Sequence, residues 1–217
     1  MLHDPRATRR HLFVVLLLLV PCALFAQPRS DDLAIAVAND RVAEVRRLLA
    51  RGADPNSHDA NGEPVLIVAA RAGSAPIVEA LLAGRVDIGL RNRFGDTALM
   101  IAALNGHLEI VKKLRARGAD VNNAGWTALA YAATGGHDDV VRYLLAEGAV
   151  IDAPSPNGTT ALMMAVRESR GSTVELLIAR GADVNRRNQN DASALDWAKR
   201  GNDAALVARL RRAGAKD

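Results

Sequence analysis

His107 and His137 are the side chains of this 217-residue sequence that most invite a chemical reading, because each follows a glycine directly and they stand 30 residues apart. A metal pair would need the fold to bring them together with further ligands, and neither has a carboxylate or cysteine companion at ligand spacing. Their shared position points instead to a cap or turn hydrogen bond, and His58 reads as a solvated loop residue. Asp138 and Asp139 look like paired carboxylates for acid–base work. They open a predicted helix, however, where the positive end of the helix dipole favours acidic groups without any chemistry. Ser30, Ser57, Ser74, Ser155, Ser169, Ser172 and Ser193 lack the glycine-flanked elbow that exposes a nucleophile. Met163 and Met164 fall in an apolar helical stretch and read as core. The sequence therefore predicts no catalytic residue, no metal site and no cofactor.

The composition says what must hold such residues in place. Apolar residues make up 49% of the chain but aromatics only 3%, so alanine and leucine carry the core. Small apolar side chains suit helices packed closely together, and the β-branched and aromatic runs of a sheet protein are missing. An all-α fold is predicted.

The first 26 residues differ in kind. Arg6, Arg9 and Arg10 precede the uninterrupted apolar run Leu12–Val20, and "PCALFA" then leads to a polar stretch at Gln27. This is the layout of a secretory signal peptide, with cleavage expected after Ala26. The run is shorter than the ~20 apolar residues of a transmembrane helix. "LVPC" and "TRRHLF" give weaker hints of a lipoprotein box and a twin-arginine route. Residues 27–30 read as a linker. Cys22, the single cysteine, lies in the leader, so the mature chain can form no disulfide. Losing three basic residues and Asp4 with the leader lowers the net charge from +4 to +2. With both signs spread along the chain, that is too weak and mixed for a nucleic-acid partner.

Beyond the leader the chain repeats itself. The turn "GAD" and its relatives begin at Gly52, Gly118, Gly148, Gly181 and Gly214, with a degenerate copy at Arg85, in steps of 33, 33, 30, 33 and 33 residues. A second marker has the same period: "GEPVL" from Gly62, "GDTAL" from Gly95, "GWTAL" from Gly125, "GTTAL" from Gly158 and the divergent "DASAL" from Asp191. Within one copy, Thr97 can cap a helix starting at Ala98, and Ala102 and Ala103 leave room for a neighbour. Gly106 ends that helix. A second helix from Leu108 carries Glu109 early and Lys112, Lys113, Arg115 and Arg117 late, an order that complements its dipole. Ile110, Val111 and Leu114 form its apolar stripe, and Gly118 supplies a left-handed cap. Helices this short are marginal alone, so the copies must stack.

On these two markers, and on "GDTALMIAALNGHLEIVKKLRARGADVN" above all, the sequence resembles the ankyrin repeat, about 33 residues long with a T-P-L-H-x-A signature. The resemblance covers about residues 31–215. Alanine replaces the signature proline, and Ile67, Met100, Ala130 and Met163 stand in the histidine's place. It implies an α-solenoid of six stacked helix–turn–helix repeats with protruding β-turn fingers, near 31–58, 59–91, 92–121, 122–154, 155–187 and 188–217. Four units are full. The first, without its own leading turn, and the last, with Arg211 at a usually apolar position, are caps.

Three places break the pattern. Arg85 replaces the left-handed glycine, so Gly84 is expected to take over the cap and end its helix early. The 30-residue step shortens the finger between the third and fourth units. Arg115 occupies a usually apolar position just before that finger. Together the last two suggest a looser junction between those units.

The resemblance also implies a function. Ankyrin stacks bind other proteins through finger tips and first helices, which here places Arg93, Phe94, Asp96, Asn123, Trp126 and Asn157 on the tips. Leu104, Asn105, Thr134 and Arg167 are the corresponding helix positions. Phe94 and Trp126 stand out as large aromatics on neighbouring tips, because buried aromatics dominate many interfaces. Tyr131 and Trp197 read as core. The expected protein is a non-enzymatic, monomeric interaction module with a protein partner, exported to a Gram-negative periplasm, and off the membrane once its leader is cleaved. A membrane-tethered scaffold is the alternative, and a small-ligand protein or enzyme a more distant one.

Overall fold

A computed structural model describes residues 30–217, so the expected leader and most of the linker lie outside the described residues. Twelve helices follow one another in six pairs: α1 (Ser30–Ala38) with α2 (Val42–Ala50), α3 (Val65–Ala72) with α4 (Ala75–Ala83), and α5 (Ala98–Leu104) with α6 (Leu108–Ala116). Then come α7 (Ala128–Gly135) with α8 (Asp138–Ala146), α9 (Ala161–Arg167) with α10 (Gly171–Ala179), and α11 (Ala194–Arg200) with α12 (Ala204–Arg212). Ser30, placed above in the linker, is the first residue of α1. Among the described residues there is no strand, only isolated bridges at the bases of three fingers: His58–Pro64, Arg91–Thr97 and Arg187–Ser193.

Each helix packs on its partner and on its counterparts in the neighbouring units, so odd-numbered helices form one row and even-numbered helices another. Alanine makes the odd row possible. Ala69, Ala70, Ala102, Ala103, Ala132, Ala133, Ala165 and Ala198 are buried where successive odd helices meet. Longer side chains, among them Leu66, Leu81, Leu99, Leu114, Leu129, Leu144 and Leu162, fill the space between rows. The result is one continuous core running through all six units. Among the described residues no helix has more than nine residues, which is below the length at which a helix persists alone in water.

The helix starts follow the expected capping. The hydroxyls of Thr97, Thr127, Thr160 and Ser193 accept from the backbone N–H three residues on, in α5, α7, α9 and α11 respectively. The even helices end in a left-handed glycine two residues past the last helical residue, at Gly52, Gly118, Gly148, Gly181 and Gly214.

At the degenerate copy, the expectation is only half met. The Gly84 N–H does bond to Leu81 O at 3.0 Å. But Gly84 is extended (φ −83°, ψ −171°), and α4 keeps the same nine residues as α2. Arg85 avoids the left-handed region altogether. A closing bond is lost as a result. Ala53, Ala119, Ala149, Ala182 and Ala215 each donate to the leucine five residues back, whereas Val86 makes no such bond. The Leu81 carbonyl accepts the Gly84 N–H, and the next carbonyl, of Leu82, accepts the guanidinium of Arg117 from the next unit.

One recurring side-chain link between units is missing between the second and third, not at the junction the sequence singled out. Asn56 links the first unit to the second by donating to Arg85 O at 3.3 Å and accepting from Asp87 N at 2.7 Å. Asn122 does the same for the third and fourth units, through Gly148 O and Val150 N, both at 2.9 Å. Asn185 does it for the fifth and sixth, and Asp152 accepts from Asp183 N between the fourth and fifth. Only between the second and third units does this link fail, because Gly89 stands at that position. Arg115, meanwhile, is not left unpaired at the next junction. It reaches Glu147 at 3.2 Å and the Ala119 carbonyl, leaving only its buried Nε unpartnered. Amide exchange is expected to reach Val86 well before Ala119 or Ala149. Equal protection at all three would show that the missing turn bonds carry little local stability.

Candidate functional site

The shortened finger shapes the surface. Residues 117–127 join α6 to α7, three fewer than residues 51–64, 84–97, 147–160 and 180–193 at the equivalent connections. No bridge forms at its base, and Trp126 folds back to meet Tyr131 edge-on, with ring centroids 6.4 Å apart and planes at 90°. Leu104 of α5, Tyr131 and Thr134 of α7, Met164 and Arg167 of α9, and Trp126 then line a mostly apolar slot of about 270 Å³.

Four predicted site residues, Leu104, Trp126, Thr134 and Arg167, thus converge on one place. Thr134 spends its hydroxyl on Ala130 O at 2.8 Å, turning its methyl side to advantage as lining. Arg167 lies over the Trp197 ring at 5.9 Å and is bonded to Glu168 at 2.9 Å. Phe94 is 72% exposed on the neighbouring tip, with the Arg93 guanidinium over its ring at 4.7 Å. Asn105 and Asn157 are exposed, but their amides serve their own turns, on Ile101 O and on Thr159 N.

Two predicted contact residues prove to be supports. Asp96 is buried, where it accepts the hydroxyl of Tyr131 and takes Asn92 Nδ2 at 3.2 Å. Asn123 lies between Asp120 O and Arg91 Nη2, and the amide orientation that satisfies both, nitrogen to Asp120 O and oxygen to Arg91, ties the short finger to the longer one before it. The correction runs the other way for two aromatics. Tyr131 and Trp197, read as core, are half-buried and line surface clefts, Tyr131 in the slot and Trp197 beside Arg167 and Arg200. Both lie on the partly exposed side of an odd helix, Tyr131 beside Trp126 and Trp197 under the Arg167 guanidinium. Met164 is a core residue that also reaches the slot.

The histidines and acids that invited chemistry are occupied. The His137 ring lies between Gly106 and Gly135, its Nε2 2.9 Å from the carbonyl of Leu104, which requires the proton on that nitrogen. His107 approaches Arg71 O in the same way at 3.4 Å. The expected hydrogen bond exists, but it reaches the preceding unit rather than the histidine's own turn. Asp138 accepts Thr173 Oγ1 at 2.6 Å, and Asp139 accepts the N–H of Val140.

Burial raises the pKa of Tyr131 well above that of an ordinary tyrosine, and the hydrogen bond to the Asp96 carboxylate and its charge raise it further. In the unfolded chain the phenol ionises near pH ~10, while in the folded chain it keeps its proton. Above that pH the folded state binds more protons than the unfolded one, so stability falls as pH rises towards the folded value. Tyr131→Phe is expected to flatten that alkaline loss in urea melts taken between about pH 9 and 11. A loss of the same slope in both proteins would exclude Tyr131 as its source.

Sequence comparison agrees with this architecture. The family of ankyrin repeats in three copies matches residues 33–124 and 117–188, most of the described chain. The chain belongs to the ankyrin-repeat family. Among curated proteins it is similar to Alpha-latroinsectotoxin-Lt1a of Latrodectus tredecimguttatus, with 40% identity over 97 residues, 44% of this chain. Those residues are 7% of that protein's length, so the chain corresponds to a small part of it. Ankyrin repeats are in general protein–protein interaction modules and typically non-enzymatic scaffolds.

Proposed function

We propose that this chain is a non-enzymatic protein-binding module, working as a monomer outside the cytoplasm of a Gram-negative cell, in the periplasm. The observation that carries the binding reading is the aromatic slot of Trp126 and Tyr131 beside the exposed Phe94. Solvent-facing aromatics at the edge of a rigid, mostly apolar cleft are the kind of anchor around which protein interfaces concentrate their energy. Export rests on the basic, apolar and small-residue order of residues 1–26.

The test is a paired capture from native extract. One bait is the chain from Gln27. The other carries Phe94→Ala and Trp126→Ala and is first shown to melt at an unchanged temperature. A protein retained by the first bait and lost by the second supports binding through the fingers, and each truncation alone is expected to weaken retention by roughly tenfold or more. Equal retention would move the interface elsewhere. The apolar run Leu12–Val20 favours one second reading, a scaffold tethered by an uncleaved leader. The intact mass of the exported protein separates the two, because a chain beginning at Gln27 has no tether.

A further inference from the structure

We infer that the Trp126–Tyr131 slot receives one large apolar side chain from an extended, acidic segment of a partner protein. This rests on the protein-binding reading above and specifies the chemistry of what is bound.

The slot suits a side chain better than a free small molecule. Its volume of about 270 Å³ lies just below the range of about 300–1,000 Å³ typical of small-molecule sites. It also stands open between fingers, where an extended chain can lie across it. Its walls are set before anything binds. Tyr131 is tied through its hydroxyl to the buried Asp96, which Asn92 also holds. Trp126 is braced edge-on against Tyr131. Little ordering remains to oppose binding.

Charge selects the flanks. The two carboxylates bonded to lining residues are already engaged, Glu168 with Arg167 and Asp96 with Tyr131 and Asn92. Arg170, which meets the carbonyl of the lining residue Thr134, has no carboxylate partner among the described residues, and neither have Arg91 and Arg93 on the preceding finger. Arg91 bonds only to Gly95 O and the Asn123 amide, Arg93 lies over Phe94, and Arg170 donates to Thr134 O at 3.0 Å. Unpaired positive charge on the preceding finger and at the Thr134 carbonyl fits glutamates or aspartates flanking an apolar anchor.

The probe is a nine-residue peptide with one central leucine flanked by glutamates, titrated into the chain from Gln27. Trp197→Phe leaves Trp126 as the only tryptophan, so fluorescence reports on the slot. The glutamate–leucine peptide is expected to shift that fluorescence and saturate. Alanine for the central leucine should weaken it by ~10-fold or more, the loss of one buried aliphatic side chain. Lysines for the glutamates should weaken it by at least a similar factor, and added salt should erode the difference. Arg93→Glu with Arg170→Glu changes two exposed side chains and should reverse the preference between glutamate and lysine peptides.

Equal binding of leucine and alanine peptides, tighter binding of the lysine peptide, or no saturation below the order of 1 mM would each overturn the inference. If the peptides fail while capture still depends on Phe94 and Trp126, the slot chemistry is wrong and protein binding stands. If both fail, the underlying reading falls too.

Discussion

Replacing Leu129 with alanine is expected to destabilise the protein by about 3–5 kcal/mol, which is comparable with the whole stability of many domains. Leu129 is 1% exposed at the second position of α7, the odd helix of the fourth unit. The cavity would open between the two rows, with α5 and α9 packed on either side of α7. Neighbouring backbone cannot collapse into it without separating those helices. In a stack, each unit is stabilised by the interfaces it makes with the next. A defect in the middle weakens two such interfaces, whereas one at the end weakens a single interface. Leu206→Ala in the terminal helix α12, also buried, is therefore expected to be clearly milder. Urea melts followed by far-ultraviolet circular dichroism compare the two, and amide exchange locates the loss. Equal effects of the two substitutions would contradict nearest-neighbour stacking.

Gly135→Ala should also destabilise, although alanine ordinarily improves a helix over glycine by up to ~1 kcal/mol. Gly135 closes α7, where an added Cβ would run into the backbone carbonyl of Leu104 and the ring of His137. The carbonyl cannot swing aside, and the ring is bonded to that same oxygen. Either α7 moves away from α5 or the histidine bond breaks, so a net cost of about 1–3 kcal/mol is expected, as for other overpacked sites. Because Leu104 and Thr134 line the slot, the fluorescence of Trp126 should shift as well. Gly118 provides the contrast. Its φ of +91° strains any side chain, but an added Cβ meets nothing within 4 Å, so Gly118→Ala should cost only the conformational strain, about 1 kcal/mol, and leave the slot alone. A Gly135→Ala protein more stable than the parent would mean that α5 and α7 are not in close contact there.

These two predictions separate what could be read from the chain and what could not. The helix pairs, their threonine caps and the turn glycines were legible, because a helix start or a left-handed turn is a local matter of one or two residues. The alternation of alanine and leucine was legible too, since each copy repeats the same packing problem. The site was legible only in part. Phe94 and Trp126 were identified by their position in the repeat, and the slot gathers four of the expected residues.

The rest depended on contacts between units. Asp96 became a support because Tyr131, 35 residues away, lies within reach of its carboxylate. The link missing at Gly89 showed only in those contacts, because the Asn or Asp at its position in other units reaches a backbone group about 30 residues on. Gly135 became indispensable because a neighbouring helix presses a carbonyl against it. By itself, then, the sequence determined that residues 31–215 repeat a short two-helix unit that has to stack, since helices this short bury their alanines and leucines only against neighbours, and the ankyrin resemblance implied six such units. The tertiary structure alone decided which of the singled-out side chains stand at the surface and which brace their neighbours, because that choice turns on distances between residues about one repeat apart.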